Sequence, residues 1–188
     1  MELNYQTAAG MSNTLYYNGN ISAVKWKGIG VGTAAADQRS YKYTYDKSDK
    51  LKAATFQAHN GTGWTKEAGT LDENMAYDAN GNVLTLARKQ NQRGLSGTTI
   101  TSAPQLIDNL TYTHATGNQL SKVEDAVATT IGSGDFKNGS TATTEYTYNS
   151  TGSITSDLNK GISSITYNAL GKPQLITYSG TPVKTIAY

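Results

Sequence analysis

The feature that most constrains this chain is a short motif of tyrosine, turn residues and glycine that recurs along it. Six copies follow one another, near residues 15–26, 43–56, 75–88, 110–125, 146–158 and 165–178, and a seventh begins at 186–188. The two shortest intervals between the motif's tyrosines are 19 and 21 residues. A unit of about twenty residues holds two strands and their turns. It is too short for a propeller blade or an ankyrin-type repeat.

The residues inside one unit predict a β-hairpin. Apolar and polar residues alternate before the turn, as at Tyr43 and Tyr45, which is the period of a strand. Then come Asp or Asn, two variable positions and Gly, an order that suits a type I turn whose glycine closes a three-residue hairpin with a bulge. A second apolar stretch follows, for example residues 83–86. We therefore expect an all-β chain of about a dozen strands, in consecutive antiparallel hairpins that form a curved sheet.

Thirteen residues define the repeat. They are Tyr17, Gly19, Tyr45, Asp46, Tyr77, Asp78, Gly81, Tyr112, Gly117, Tyr148, Gly152, Tyr167 and Gly171. In the second unit Asp49 replaces the glycine, and Asp tolerates the left-handed region better than most residues. The first unit shortens the turn to Asn18-Gly19, which predicts a two-residue type I′ loop. The fourth unit spreads its turn over residues 113–118.

The order Tyr-Asp-x-x-Gly-(Asn/Arg)-hydrophobic, as in residues 77–83, resembles the YD repeat of Rhs proteins, teneurins and the C component of Tc toxin complexes. Residues 18–26, 78–83 and 157–168 are similar to Bacteroidetes-type Rhs proteins just upstream of their Rhs-associated core. The resemblance covers residues 15–188. A strict Tyr-Asp pair occurs only in the second and third units, and Asn or Thr takes the Asp position elsewhere.

This resemblance implies a fold and a function. YD-repeat hairpins join into one long β-sheet that spirals around a hollow interior. In Rhs and Tc proteins this shell encloses the protein's own C-terminal toxic domain, and in teneurins a related barrel serves cell adhesion. We therefore expect a structural wall segment of a secreted or surface-exposed bacterial shell. Its expected partners are the neighbouring repeats and the C-terminal toxin domain of the same polypeptide.

Composition and charge argue against several other classes. The formal net charge is +2 and no basic face is dense, which disfavours nucleic-acid binding. No apolar run approaches the ~20 residues that a transmembrane helix needs. The chain has no cysteine and only two histidines, which excludes thiolate zinc sites and cysteine nucleophiles. We expect no enzyme, no metal and no cofactor.

The insertions between units carry the alternative function. They span residues 27–40, 57–74, 88–107 and 126–142, and we predict hairpin loops or longer excursions at the rim of the sheet. Trp26 and Trp64 flank or lie in these insertions. An exposed Trp on a loop suits sugar stacking or a partner contact, whereas a Trp beneath a loop is packing. The alternative is therefore a carbohydrate- or protein-binding adhesion module.

The tyrosines and the sheet edges allow two further expectations. A row of tyrosines on one face is either a sugar platform or the contact between neighbouring hairpins. Because the tyrosines recur at the same place in every unit, we expect the structural role. A segment cut from a continuous sheet leaves unpaired N–H and C=O groups at its edges. We expect edge-to-edge self-association, or a loop folded over each edge.

Overall fold

The computed structural model describes residues 1–28, 38–96, 98–127, 136–180 and 184–187, and in these residues the chain is all β. The strands are β1 Glu2–Asn4, β2 Ala23–Trp26, β3 Arg39–Tyr45, β4 Leu51–Ala58, β5 Glu73–Tyr77, β6 Val83–Ser96, β7 Thr99–His114, β8 Leu120–Asp125, β9 Tyr146–Tyr148, β10 Ile154–Asp157, β11 Ile162–Tyr167, β12 Pro173–Tyr178 and β13 Lys184–Ala187. The described residues contain no α-helix, only single 3₁₀ turns at Thr116–Asn118 and Leu158–Lys160. The predicted fold class is confirmed.

The strands form two antiparallel sheets, and in each the neighbours follow in chain order. One sheet has eight strands, β1 to β8, and the other has five, β9 to β13. Each strand therefore pairs with the strand just before or just after it in the sequence. This order confirms consecutive hairpins, and β1 and β13 each end one sheet.

The chain divides into two compact units. The first comprises Met1–Ala76 and Thr85–Asn109, and the second comprises Tyr77–Leu84 and Leu110–Tyr188. The buried apolar side chains of the first are Met11, Ala23, Ala54, Phe56 and Ala58. Those of the second are Leu110 and Val123, next to buried Glu145, Ser156 and Asp157. Among the described residues, both units bury more polar than apolar side chains.

Aromatic rings from adjacent strands form the core of the first unit. Phe56 on β4 lies directly opposite Tyr41 on β3, with ring centroids 5.3 Å apart. Trp26 on β2 stacks on Tyr41 at 5.8 Å and contacts Phe56 at 6.2 Å. Aromatic pairs of this kind stabilise a sheet through cross-strand packing. Phe56 is only 2% exposed, so it is the centre of this cluster.

Four turns share the geometry that the sequence predicts. In the turn after β3, the N–H of Asp49 donates to the carbonyl of Asp46 at 3.2 Å, and the N–H of Asp46 donates to the carbonyl of Lys50 at 2.9 Å. The Asp46 carboxylate also accepts from the N–H groups of Ser48 and Lys50. The same set of bonds recurs in the turns that begin at Asp78, Asn149 and Asn168. The left-handed position in these four turns is held by Asp49, Gly81, Gly152 and Gly171, at φ 60°, 93°, 82° and 70°.

The predicted hairpin at Asn18-Gly19 is wrong. Residues 5–22 form one irregular connection between β1 and β2, and Asn4 pairs with Ala23. Because β1 already pairs with β2 along that edge, residues 15–17 have no strand partner. Tyr17 is not in a strand and is 75% exposed.

The register of the fourth hairpin also differs from the assignment made from the sequence. His114 pairs with Leu120, as Tyr45 pairs with Leu51 in the second repeat. Tyr112 instead pairs with Val123. His114 thus holds the position that the motif tyrosine holds elsewhere. In the same turn Gly117 has φ 75°, and the position equivalent to Asp49 belongs to Asn118, at φ 64°. The alternation Tyr-x-His fits two registers, and strand pairing selects the later one.

Two of the predicted insertions have structure of their own. Most of residues 88–107 extend β6 and β7 instead of forming a loop, consistent with the β-branched residues around position 100. The chain after β4 folds back along that strand, where Lys66 forms a bridge with Ala58. The carboxylate of Asp72 accepts the N–H of Phe56 at 2.9 Å. Parts of residues 27–40 and 126–142, and Tyr188 of the seventh unit, lie outside the described residues.

Candidate functional site

Three motif tyrosines each join their hairpin to the residue that follows the preceding repeat turn. The hydroxyl of Tyr45 donates to the carbonyl of Ile21 at 2.9 Å, and Tyr148 donates to Leu120 at 3.0 Å. Tyr167 donates to the carbonyl of Ile154 at 2.6 Å. Each acceptor is the first apolar residue after the preceding turn. We call these three contacts the tyrosine links.

Burial keeps two of these hydroxyls protonated. Removal from water raises the pKa of Tyr45 and of Tyr148, because a buried phenolate is poorly solvated. A neutral phenol can donate its proton to a carbonyl, whereas a phenolate cannot. The links of Tyr45 and Tyr148 therefore persist over the whole range in which these two phenols stay neutral.

A second contact joins the tips of neighbouring turns. The side-chain amides of Asn18 and Asn20 both donate to one carboxylate oxygen of Asp49, at 2.6 and 2.8 Å. In the second compact unit, the side-chain amides of Asn80 and Asn82 both donate to the side-chain oxygen of Asn118, at 3.0 Å each. In both cases the donors belong to an Asn-Gly-Asn turn and the acceptor to the next turn. We call this contact the asparagine clamp.

The asparagine clamp explains which turns lack glycine. A non-glycine residue in the left-handed region carries a conformational cost, roughly 1–2 kcal/mol. Asp49 and Asn118 accept two hydrogen bonds from the preceding turn, and these offset the cost. Where the preceding turn lacks Asn-Gly-Asn, the position is glycine, as at Gly81, Gly152 and Gly171.

The clamp also realigns the first repeat. Asn18-Gly19-Asn20-Ile21 corresponds to residues 80–83, and Gly19 and Gly81 share φ 93°. The sequence assignment aligned Tyr17 with Tyr77 instead. The missed signal was visible in the sequence, since Asn-Gly-Asn occurs in only two turns and each precedes a turn with Asp or Asn in the glycine position.

Trp26 combines packing with a place at a cavity. It is half-buried and stacks on Tyr41 within the core of the first unit. It also lines a cavity of about 260 Å³, whose lining residues are Met1, Glu2, Lys25, Trp26, Lys27 and Gln38. Within this lining, Lys25 and Glu2 form an ion pair at 2.9 Å.

Trp64 lies in the connection between β4 and β5, and its contacts are those of a packed side chain. Its ring meets the edge of the His59 ring at 5.1 Å and 84°. Its indole also lies against Gly10, where an added Cβ would be 3.8 Å from the indole nitrogen. Trp64 is half-buried, and the structure does not bring it to the cavity that Trp26 lines.

A buried carboxylate organises the second unit. Glu145 is fully buried, and its N–H donates to the carbonyl of Ser121 on β8 at 2.7 Å. Its Oε2 accepts from the N–H of Val123 at 3.0 Å and from the side-chain amide of Asn159 at 2.7 Å. Its Oε1 is buried with no hydrogen-bond partner among the described residues. Glu145 thus makes hydrogen bonds to the backbone of β8 of the kind that a neighbouring strand would make.

Asn159 fixes the loop that follows residue 135. Its side-chain oxygen accepts from the N–H groups of Gly139 at 2.9 Å and Ser140 at 3.1 Å. A Cβ at position 139 would lie 2.3 Å from the Asn159 carbonyl oxygen, so only glycine fits there. Beside this contact is a cavity of about 540 Å³, lined by Phe136, Lys137, Tyr146, Asp157, Asn159 and Lys160. The sequence predicted no functional role for these residues.

Three further findings concern metal binding, membrane crossing and relatives. In residues 1–28, 38–96, 98–127, 136–180 and 184–187, no three His, Cys, Asp or Glu side chains are placed to hold a metal ion together. Over the same ranges no helix has the length and hydropathy to cross a bilayer. Neither a scan against protein-family models nor a search of curated proteins found a match.

The repeat turns lead to a prediction about acid stability. Hydrogen bonds from the Asn82 amide lower the pKa of Asp78, and backbone N–H groups, chiefly that of Lys50, lower the pKa of Asp46. A carboxyl with a depressed folded pKa stabilises the fold above its unfolded pKa of about 3.9, and the effect is lost as pH falls through the folded pKa. We expect the double variant Asp46→Asn and Asp78→Asn to resist acid unfolding better than the wild type.

This prediction has an internal control. Asn149 and Asn168 hold the same turns, so the double variant keeps the geometry while losing the titrating groups. The measurement is a far-UV circular dichroism titration from pH 6 to about pH 2, which passes through the ordinary pKa of an aspartate. The reverse variant, Asn149→Asp, should unfold at higher pH than the wild type. Identical acid midpoints for all three proteins would contradict the prediction.

Proposed function

We propose that this chain is a structural segment of a repeat-built β wall, of the kind that Rhs-type shells use to enclose a C-terminal toxin domain. The observation that carries the proposal is the set of tyrosine links. The links occur in the second, fifth and sixth repeats with the same donor type and the same acceptor position. A contact that repeats with the sequence belongs to a scaffold, whereas a specific binding site interrupts the repeat.

The energies of these contacts fit that role. A hydrogen bond of this kind contributes about 0.5–1.5 kcal/mol net, and a buried donor left without its acceptor costs more. Each of the three linked hairpins is thus held to the preceding repeat at a fixed register. Under this proposal the chain has no catalytic activity and needs no cofactor, and its partners are the neighbouring repeats and the enclosed domain. Its place is a secreted or surface-exposed bacterial shell.

The sheet edges are where such a wall would continue. All four residues of β13 are exposed, and β13 and β1 each have a neighbour on only one side in the sheet order. Exposed strand edges pair readily with another strand. In the proposal these edges pair with adjacent repeats, and in the isolated chain they favour edge-to-edge association.

A protease experiment tests the wall. In the complete polypeptide, we expect a C-terminal toxin domain to be cut much more slowly than the same domain alone. The double variant Tyr148→Phe and Tyr167→Phe removes two tyrosine links, at about 1 kcal/mol each, and should speed the cutting several-fold by loosening the wall. Tyr17→Phe is the matched control, because Tyr17 is 75% exposed and outside the links.

The outcomes separate the wall from a mere packing motif. Equal cutting rates for the domain in the complete polypeptide and the isolated domain would contradict enclosure. Protection that is insensitive to the double variant would contradict the part assigned to the tyrosine links. Tyr17→Phe should behave as the wild type in either case.

The Trp26 cavity favours a second candidate, an adhesion module that binds a surface glycan or a protein. An indole beside Lys25, Lys27 and Gln38 offers a stacking face together with polar groups. A glycan array separates the two candidates. Binding that Trp26→Phe abolishes would favour adhesion, and an array without signal would favour the wall.

A further inference from the structure

The cavity beside Asn159 is already shaped for a ligand. All four hydrogen bonds of the Asn159 side chain are made within the protein, to Gly139, Ser140, Glu145 and Tyr146. The side chain therefore cannot turn into the cavity or away from it. The volume of about 540 Å³ falls within the usual range of small-molecule sites, ~300–1,000 Å³.

Two aromatic rings provide the apolar part of the lining, those of Phe136 and Tyr146. Burial raises the pKa of Tyr146, so its phenol stays neutral. The phenol oxygen accepts from the Asn159 amide at 3.3 Å. Among the described residues its proton has no acceptor, so the phenol can donate to a ligand in the cavity.

The charged groups of the lining favour an anion. Both oxygens of Asp157 are engaged by Lys160, one by its backbone N–H and one by its ammonium group, each at 3.2 Å. Lys137 has no carboxylate partner in the part of the chain that the structure describes. The nearby Glu145 is bound through Oε2 to Val123 and Asn159 and is not part of the lining, and its Oε1 is buried without a partner among the described residues. Glu124 contacts Lys122 and Asn138.

We propose that this cavity binds a monocarboxylate that carries an aromatic ring. The Lys137 ammonium and the Tyr146 hydroxyl bind the carboxylate through charge-assisted hydrogen bonds. The rings of Phe136 and Tyr146 pack against the ring of the ligand. A free aryl acid and the C-terminal phenylalanine of a peptide share this chemistry. The site is independent of the wall proposed above, because none of its side chains makes a tyrosine link.

Calorimetric titration of the full chain tests the site with matched probes. Phenylacetate and its neutral isostere phenylacetamide differ in the carboxylate alone. We expect phenylacetate to bind about tenfold more tightly, as one charge-assisted hydrogen bond allows. A second pair, Gly-Gly-Phe with a free or an amidated C-terminus, distinguishes a free acid from a peptide end as the source of the carboxylate.

Two variants assign the roles. Lys137→Gln should lower the affinity for the carboxylate probe about tenfold and leave the affinity for the amide unchanged. Tyr146→Phe should lower the carboxylate affinity a few-fold, which corresponds to one neutral hydrogen bond. Lys172→Gln, in a turn outside the cavity, is the control. Near-UV circular dichroism checks that each variant is folded.

Several results would overturn the proposal. These are equal affinity for acid and amide, no binding of any of the four probes, and an effect of Lys172→Gln as large as that of Lys137→Gln. Binding of only the aryl acid, or of only the free peptide, supports the site and identifies which source of the carboxylate it accepts.

Discussion

Replacing Glu145 by alanine should lower the free energy of unfolding by about 3 kcal/mol. The alanine leaves two donors without an acceptor, the N–H of Val123 and the side-chain amide of Asn159. Val123 is buried as well, so water cannot reach its N–H without opening the structure. The loss of the Asn159 contact should also release the loop around Gly139.

Urea unfolding followed by far-UV circular dichroism measures this effect. Glu145→Gln keeps one oxygen as an acceptor and should lose much less stability than the alanine variant. Glu124→Ala is the surface control, because 44% of the Glu124 side chain is exposed, and its loss of stability should be a small fraction of that of Glu145→Ala. Equal losses for Glu145→Ala and Glu124→Ala would show that Glu145 does not organise this unit.

Phe56→Ala should cost about 3–5 kcal/mol, as expected for a fully buried phenylalanine. The substitution removes the ring that contacts both Tyr41 and Trp26, and it leaves a cavity between β2, β3 and β4. Both tryptophans lie in the first compact unit, so tryptophan fluorescence follows the unfolding of that unit. We therefore expect the fluorescence transition to move to a lower urea concentration.

The matched control for Phe56→Ala is Leu106→Ala in the same compact unit, where the side chain is 41% exposed. Its effect should be a fraction of that of Phe56→Ala, because less apolar surface is buried there. Phe56→Leu should lie between the two. If Phe56→Ala and Leu106→Ala shift the fluorescence midpoint equally, the aromatic cluster is not the core of this unit.

The sequence was sufficient wherever structure depends on neighbouring residues. The turn from Asp78 to Asn82 is determined by one side chain that accepts backbone N–H groups two and four residues ahead. Such bonds can be predicted from local order alone, and so can the strands on either side. The all-β class and the order of the hairpins followed from these local rules.

Register was not predictable where distant pairing decides it. Residues 15–21 have the composition of a hairpin, but β1 occupies the edge of β2 at which they would pair. In the fourth unit, the pairing of His114 with Leu120 selects one of two registers that the alternation allows. Both outcomes depend on strands that lie far away in sequence or on the far side of the turn.

The buried polar network of the second unit left no signal in the sequence. Glu145 meets Val123 and Asn159 at separations of 22 and 14 residues, and none of the three is a motif position. A lone Glu beside a repeat tyrosine resembles any surface residue. Only the return of the loop onto β8 and β10 shows that it is buried.

The asparagine clamp couples neighbouring repeats, so these repeats cannot be duplicated or lost one at a time without breaking a contact. An Asn-Gly-Asn turn needs an acceptor in the next repeat turn. The first and second repeats therefore form one matched pair, and the third and fourth repeats form another. Deleting the second unit would place Gly81 opposite Asn18 and Asn20, and glycine has no side chain to accept their amides. The smallest stretch of this part of the chain that can be duplicated or lost with every clamp intact is therefore two repeats long.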